Sequence, residues 1–264
     1  MSLRPALRRG VTLLELLIVI MIVGLLTTAA LKAYDTSLQA GRFAATRRTL
    51  EELASALVGN PELVTHGARV DFGYVGDLGM LPDTKLSDLV SPPAGIDTGL
   101  WRGPYIINRV AENPTGYQRD AWGDSLIYEP SLLSISSMRG VSYLMRDSWI
   151  TRKLARNQND LLNNKVQGWV KDAKGNPPDS ASPFLSVSIA YPRMGRFYSE
   201  TVATATIENG YFEFLPTVPI GKHPVTVRWI DTFTPVDTTW VQKTATVTPG
   251  GKTFLDVHLP IPFR

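Results

Sequence analysis

Apolar and polar positions follow three different patterns along this chain. Residues 11–31 form an apolar run that a single acid, Glu15, interrupts. A helix of about 20 apolar residues crosses the hydrocarbon core of a bilayer, so this run is predicted to span a membrane. A carboxylate inside a membrane span is costly and rare, which marks Glu15 as a candidate functional residue.

The second pattern has the period of an amphipathic helix and follows the apolar run directly. No proline occurs between Ala33 and Val58, and Gly-Asn-Pro at residues 59–61 is a stop signal. Apolar residues recur at helical spacing at Phe43, Leu50, Leu53 and Leu57. The opposite face is predicted to be charged and solvated, with Arg42, Arg47, Arg48, Glu51 and Glu52. One helix is therefore predicted from Val11 to Val58, with its first part in lipid and its second part against a globular domain.

The third pattern is a series of short runs rich in β-branched and aromatic residues and separated by turns. It occupies the last hundred residues and comprises VQGWV, FLSVSIAY, TVATATI, GYFEF, HPVTVRW, TWVQKTATV and FLDVHL. Seven such runs predict a β-sandwich. A polar stretch at residues 151–164 precedes them and is predicted to be a linker.

The basic charge of the chain is concentrated at its start. Residues 1–10 carry three arginines and no acid, so this stub is expected to stay in the cytoplasm while the residues after the span face the other side. Without those arginines the chain has 24 basic and 24 acidic side chains, so its formal charge of +3 does not indicate nucleic-acid binding. Cysteine is absent, and a domain of this size can rely on its hydrophobic core outside the cytoplasm.

The junction between the stub and the apolar run carries a family resemblance. Gly10 and the following Val-Thr-Leu-Leu-Glu-Leu at residues 11–16 resemble the prepilin leader of type IV pilins and type II secretion pseudopilins. The resemblance implies that a membrane peptidase cuts between Gly10 and Val11 and methylates the new amine of Val11. It also implies that Glu15 pairs with the N-terminal amine of a neighbouring subunit, which would offset the cost of a carboxylate in low dielectric. The alternatives are a plain signal anchor and a Glu15 that lies unpaired near the headgroups.

The middle of the chain resembles the major pseudopilins of type II secretion. The resemblance rests on Gly-Pro-Tyr at residues 103–105 and on Asp-Ala-Trp-Gly at residues 120–123. The residues themselves predict a turn in which Asp120 bonds nearby backbone and Gly123 has positive φ, with Trp122 as a core anchor. Major pseudopilins have a calcium loop after the strand that follows this turn. Calcium takes six to eight oxygens, whereas only Asp147 and, further on, Asp160 are available, so no metal or cofactor is predicted.

The last hundred residues resemble a carboxypeptidase-regulatory-like domain, which has a transthyretin-like sandwich. The resemblance rests on turn and core residues at 166–170, 172–177, 210–212 and 218–221, so it implies a fold and no activity. Strand alternation predicts that most of the large aromatics are core residues, with a sugar- or protein-binding strip as the alternative: Trp169, Tyr191, Phe197, Tyr198, Trp229 and Trp240.

Catalytic constellations are missing from the sequence. His66, His223 and His258 lie far apart and are predicted to be surface or strand residues, and the sequence contains no hydrolase, redox or phosphate-loop motif. A membrane-anchored enzyme is accordingly disfavoured.

These patterns and resemblances predict an α+β protein. A long transmembrane and amphipathic helix would pack on a small pilin-type sheet, followed by an all-β transthyretin- or immunoglobulin-like sandwich. The predicted segments are a leader at 1–10, the helix at 11–60 with its span at 11–31, a pseudopilin-like domain at 61–150, the linker at 151–164 and the sandwich at 165–264.

The expected function is that of a filament subunit without enzymatic activity, in a type IV pilus-like or type II secretion pseudopilus filament. The size of the added sandwich favours a minor or specialised subunit. The alternative is an adhesive or substrate-recognition pilin whose sandwich binds a glycan or a protein. Expected partners are prepilin peptidase, other subunits and the inner-membrane assembly platform, with no nucleic acid. The expected location is the bacterial inner membrane, with the globular part periplasmic, and then the filament.

Overall fold

The computed structural model describes residues 12–107, 113–141, 143–178, 185–203, 207, 209–231 and 237–263. The chain divides into two compact units, residues 1–45 and residues 46–264. Their secondary structure confirms the mixed α+β class, with one long N-terminal helix followed mostly by β-sheet.

Helix α1 runs from Leu13 to Val58, close to the predicted bounds. It ends at the predicted stop because Gly59 has φ of 79°, which a side chain would strain, and a Cβ there would lie 2.3 Å from the Asp71 carbonyl oxygen. The Arg69 guanidinium satisfies the last carbonyls, donating from Nη2 to Val58 O at 2.6 Å and to Gly59 O at 3.0 Å. The helix terminus is thus fixed by its neighbours in the compact unit.

The first part of the unit at 46–264 surrounds the end of α1 with short elements. These are a hairpin of β1 (Val64–Thr65) and β2 (Ala68–Arg69), helix α2 (Gly73–Leu78), and an antiparallel sheet of β3 (Ile127–Glu129), β4 (Ser134–Ser137) and β5 (Ile150–Lys153). The helix and the sheet share one hydrophobic core, which includes Leu50, Leu53, Leu57, Tyr74, Leu89, Leu126 and Ile135.

The second part of this unit is a sandwich of two sheets. One sheet has the order β11 (Asp237–Val247), β10 (Gly221–Asp231), β7 (Leu185–Arg193) and β8 (Arg196–Ala203), and is antiparallel. The other has the order β12 (Lys252–His258), β6 (Lys165–Lys171) and β9 (Tyr211–Glu213), with β12 and β6 parallel. Their inner faces form a second core that includes Val166, Val170, Val187, Ile189, Phe212, Val227 and Val257.

Residues 151–164, for which composition predicts a linker, contain the end of β5 and helix α3 (Gln158–Leu162). Leu161 is fully buried and packs in a third cluster with Phe72, Val75 and Ile220. The mostly polar composition of this stretch led to the linker prediction. Its buried leucine instead connects the two parts of the unit through a shared apolar cluster.

Candidate assembly site on the N-terminal helix

The first turn of α1 is built around Thr12 and Glu15. Thr12 precedes the helix, its carbonyl oxygen accepts from Leu16 N at 3.1 Å, and its Oγ1 accepts from Glu15 N at 3.3 Å. Thr-x-x-Glu is the spacing of a capping box, and this sequence signal identifies Thr12 as the N-cap of the helix. Glu15 is exposed and lies in the first turn, where the helix dipole favours a negative charge. Gly10 and Val11, the predicted cleavage residues, lie outside the described residues.

Beyond this turn, α1 presents an exposed surface that is apolar as far as residue 31, apart from two threonines. Every residue from 13 to 45 is exposed, with Leu25 and Leu26 at 68% and 65%. The hydroxyls of Thr27, Thr28 and Thr36 donate to the carbonyls four residues earlier at 2.7, 2.8 and 2.9 Å, so they are compatible with an apolar medium. By length and composition, this helix can cross a membrane. An apolar surface of this extent requires lipid or another protein as its partner.

The Asp120 turn predicted from the sequence forms, and it has a structural role. Asp120 Oδ1 accepts from Trp122 N and Asp124 N, both at 2.9 Å, and Oδ2 accepts from the Ser137 hydroxyl at 2.6 Å. Gly123 has φ of 94°, as predicted. The Ala121 amide donates to Thr46 Oγ1 at 3.0 Å, which ties the turn to the start of the buried part of α1.

The Gly-Pro-Tyr segment also contributes to packing. The Tyr105 hydroxyl donates to Asp77 Oδ2 at 2.9 Å, and the Tyr105 ring makes edge contacts with Tyr74 and Trp101. Burial raises the pKa of Asp77, while the Tyr105 hydrogen bond and the Arg102 charge oppose that shift. The carboxylate of Asp77 is thus engaged in holding this segment.

A cavity of about 460 Å³ lies between this segment and the sandwich, and Asp77, Tyr105, Tyr191 and His223 line it. His223 is 2% exposed, and its Nε2 lies 2.8 Å from the Pro219 carbonyl oxygen, to which it donates. Burial lowers the pKa of His223 to about 4, so the ring is neutral near pH 7. The Tyr191 hydroxyl bonds Thr217 Oγ1 at 2.8 Å, so these four side chains each have a protein partner.

The remaining sequence candidates are dispersed. His66 is exposed, and His258 is half-exposed beside Asp256, with Nε2 3.5 Å from Oδ2. Asp147 is exposed in a short 3₁₀ helix, Arg146–Ser148, and Asp160 lies in the first turn of α3. Across the part of the chain that the structure describes, no three His, Cys, Asp or Glu residues are grouped so as to hold a metal ion.

The large aromatics of the sandwich depart from the prediction that most belong to the core. Tyr191 and Trp229 are buried, as 1% and 3% of their surface is exposed. The other four are exposed, at 37% to 67%: Trp169, Phe197, Tyr198 and Trp240. Alternation separates the two faces of a strand, but it does not tell which face meets the other sheet, so the prediction was wrong for these four.

Comparison with known proteins bears on the N-terminus. Residues 6–31 match the family described as the prokaryotic N-terminal methylation motif. No curated protein matches the sequence significantly. Among solved structures, a proposed carbohydrate binding protein from Pseudomonas aeruginosa aligns with 14% identity over 38% of this chain and 90% of its own, with a TM-score of 0.25. The chain thus has a type IV pilin-like N-terminus.

Proposed function

We propose that this protein is a structural subunit of a type IV pilus-like or type II secretion pseudopilus filament, in a minor or specialised position and without catalytic activity. The observation that carries the proposal is that the methylation motif and the exposed apolar start of α1 occupy the same residues. The methylation motif at 6–31 overlaps the start of α1, and there the helix is exposed and apolar except for Glu15.

In this proposal, prepilin peptidase cleaves between Gly10 and Val11 and methylates Val11. The uncut protein resides in the inner membrane through residues 11–31, with its N-terminus cytoplasmic and residues 46–264 periplasmic. Extraction into the filament replaces lipid around α1 by the helices of other subunits. The carboxylate of Glu15 then pairs with the Val11 amine of a neighbour, because an isolated charge in that apolar environment is costly.

The cleavage step is tested by Gly10→Ala. We expect this variant to retain residues 1–10 and to remain in the membrane, as judged by intact mass and by membrane fractionation. Gly24→Ala is the matched control, since a Cβ at Gly24 would meet nothing within 4 Å. Normal removal of residues 1–10 in Gly10→Ala would contradict the proposed cut.

The pairing step is tested by Glu15→Gln, which removes the charge and keeps the size of the side chain. We expect normal processing but incorporation into filaments that falls by about tenfold or more, measured as the sheared, sedimentable fraction. Asp35→Asn removes another exposed acid of α1 and serves as the control. Equal incorporation of Glu15→Gln and Asp35→Asn would refute the role of Glu15.

A further inference from the structure

We propose that the outward face of the β12–β6–β9 sheet binds a neutral oligosaccharide. This inference is independent of the filament function, since it concerns only the surface of the sandwich. We call this surface the aromatic face, and it consists of Lys165, Gln167, Trp169, Lys171, Tyr211, Glu213, Phe254 and Asp256.

The strand register brings three aromatic side chains together on this face. Val166 and Val170 of β6 point into the core, so Trp169 points outward. Trp169 pairs with Tyr211 of β9 and with Asp256 of β12. Phe254, two residues before Asp256 on β12, points the same way and is 53% exposed.

The orientation of the indole is fixed by contact with a neighbour. The Trp169 and Tyr211 rings lie 5.3 Å apart between centroids, inclined at 61°. The Tyr211 hydroxyl donates to Glu213 Oε2 at 2.6 Å and also contacts Gln167 Oε1 at 3.2 Å. Trp169 remains 37% exposed, so a preorganised aromatic surface is available to a ligand without rearrangement of the sheet.

Polar side chains surround the aromatic rings on the same face. Lys165 pairs with Glu213 at 2.6 Å, and Lys171 pairs with Asp256 at 3.3 Å. Donors and acceptors thus alternate beside apolar ring surfaces. A sugar ring has the matching chemistry, since its C–H face can lie on an aromatic ring while its hydroxyls reach donors and acceptors at the edge.

The same composition argues against a protein partner. The cores of protein interfaces are depleted in Lys, Glu and Asp, whereas this face carries Lys165, Lys171, Glu213 and Asp256 around its aromatics. Lys165 and Lys171 are each paired with a carboxylate of this face, so neither requires an anionic ligand, and Lys252, two residues before Phe254, adds one basic group at the edge of the face.

The outward face of the other sheet provides an internal comparison. Trp240 on β11 is 65% exposed, opposite Arg228 of β10. Its further neighbours on that face are threonines, Gln242 and Ile230, with no second aromatic beside it on β10. Trp240 is therefore an exposed tryptophan of the same sandwich outside the proposed site.

The test uses the full chain in a detergent without a sugar headgroup, so that the detergent cannot compete. Binding is measured by titration calorimetry with cellohexaose, xylohexaose, mannohexaose, chitohexaose and an acidic control, oligogalacturonate. We expect binding of at least one neutral oligosaccharide, about tenfold or more weaker in Trp169→Ala and weaker in Phe254→Ala, and unchanged in Trp240→Ala.

Several outcomes would overturn the proposal. They are no binding of any neutral oligosaccharide, binding of oligogalacturonate alone, or equal binding by wild type and by both aromatic-face variants. Thermal unfolding of each variant separates loss of the site from loss of the fold, and Phe254→Ala, which removes an exposed ring, keeps the test valid if Trp169→Ala is unstable. Normal sugar binding by a Glu15→Gln protein that assembles poorly would separate this site from the filament function.

Discussion

Helix α1 has one secondary structure and two kinds of surroundings. All side chains from residue 13 to 45 are exposed, whereas Leu50, Leu53 and Leu57 are at most 1% exposed. The first part is apolar around its circumference as far as residue 31, apart from Glu15 and a few threonines, while the buried part has an apolar stripe opposite charged residues such as Arg48 and Glu52. Apolar residues therefore lie on an exposed surface in the first part and form a hydrophobic core in the second, although both parts are equally helical.

The largest difference between the two parts is expected from matched leucine truncations. Leu53→Ala should lower the free energy of unfolding of residues 46–264 by about 2–5 kcal/mol, because it leaves a cavity in the core. Leu25→Ala, at a 68% exposed position, should change it by less than about 0.5 kcal/mol. Urea unfolding followed by tryptophan fluorescence measures this, since all six tryptophans lie after residue 100. Similar effects of the two variants would contradict the division of the helix.

The next effect concerns pH and belongs to the compact unit at 46–264. The pKa of His223 is about 4 when folded, against 6.5 for an unperturbed histidine. Below pH 6.5 the His223 ring binds a proton in the unfolded chain but stays neutral in the folded chain. The free energy of unfolding therefore falls as the pH falls from 6.5 to 4. The loss is on the order of 3 kcal/mol.

His223→Gln should remove this part of the pH dependence while all carboxyl groups remain common to both proteins. Urea unfolding of wild type and variant at pH 7 and pH 4.5 gives the comparison. An equal loss of stability in both proteins would show that His223 is not the titrating group.

The smallest expected effect comes from two threonines on either side of the boundary. Thr46→Val removes the oxygen that accepts from the Ala121 amide, so it should cost about 1–2 kcal/mol of unfolding free energy. Thr36→Val removes a hydroxyl that bonds only its own helix, at Lys32 O, and should leave the compact unit unchanged. A destabilisation by Thr36→Val as large as that by Thr46→Val would show that the compact unit begins before residue 46 and includes Thr36.

Local patterns in the sequence determined the long helix and the strands of the sandwich. The bounds of α1, its stop at Gly59, the class of the fold and the seven strand-forming runs of the sandwich all follow from periodicity and turn residues. The Asp120 turn was also predictable, since an aspartate bonds the backbone of its own turn whatever surrounds it. Glu15 was also recognisable from the sequence alone, because it is a single acid in an apolar run.

Only the tertiary structure decided which surfaces meet. Composition made residues 151–164 a linker, but burial of Leu161 against Phe72 and Ile220 makes them part of the compact unit. Alternation placed Trp169 and Trp229 on strand faces alike, yet the packing of two sheets buries Trp229 and leaves Trp169 on the solvent side. The physical reason is that hydrogen-bond period and turn geometry are local, whereas burial depends on partners that are distant in the sequence.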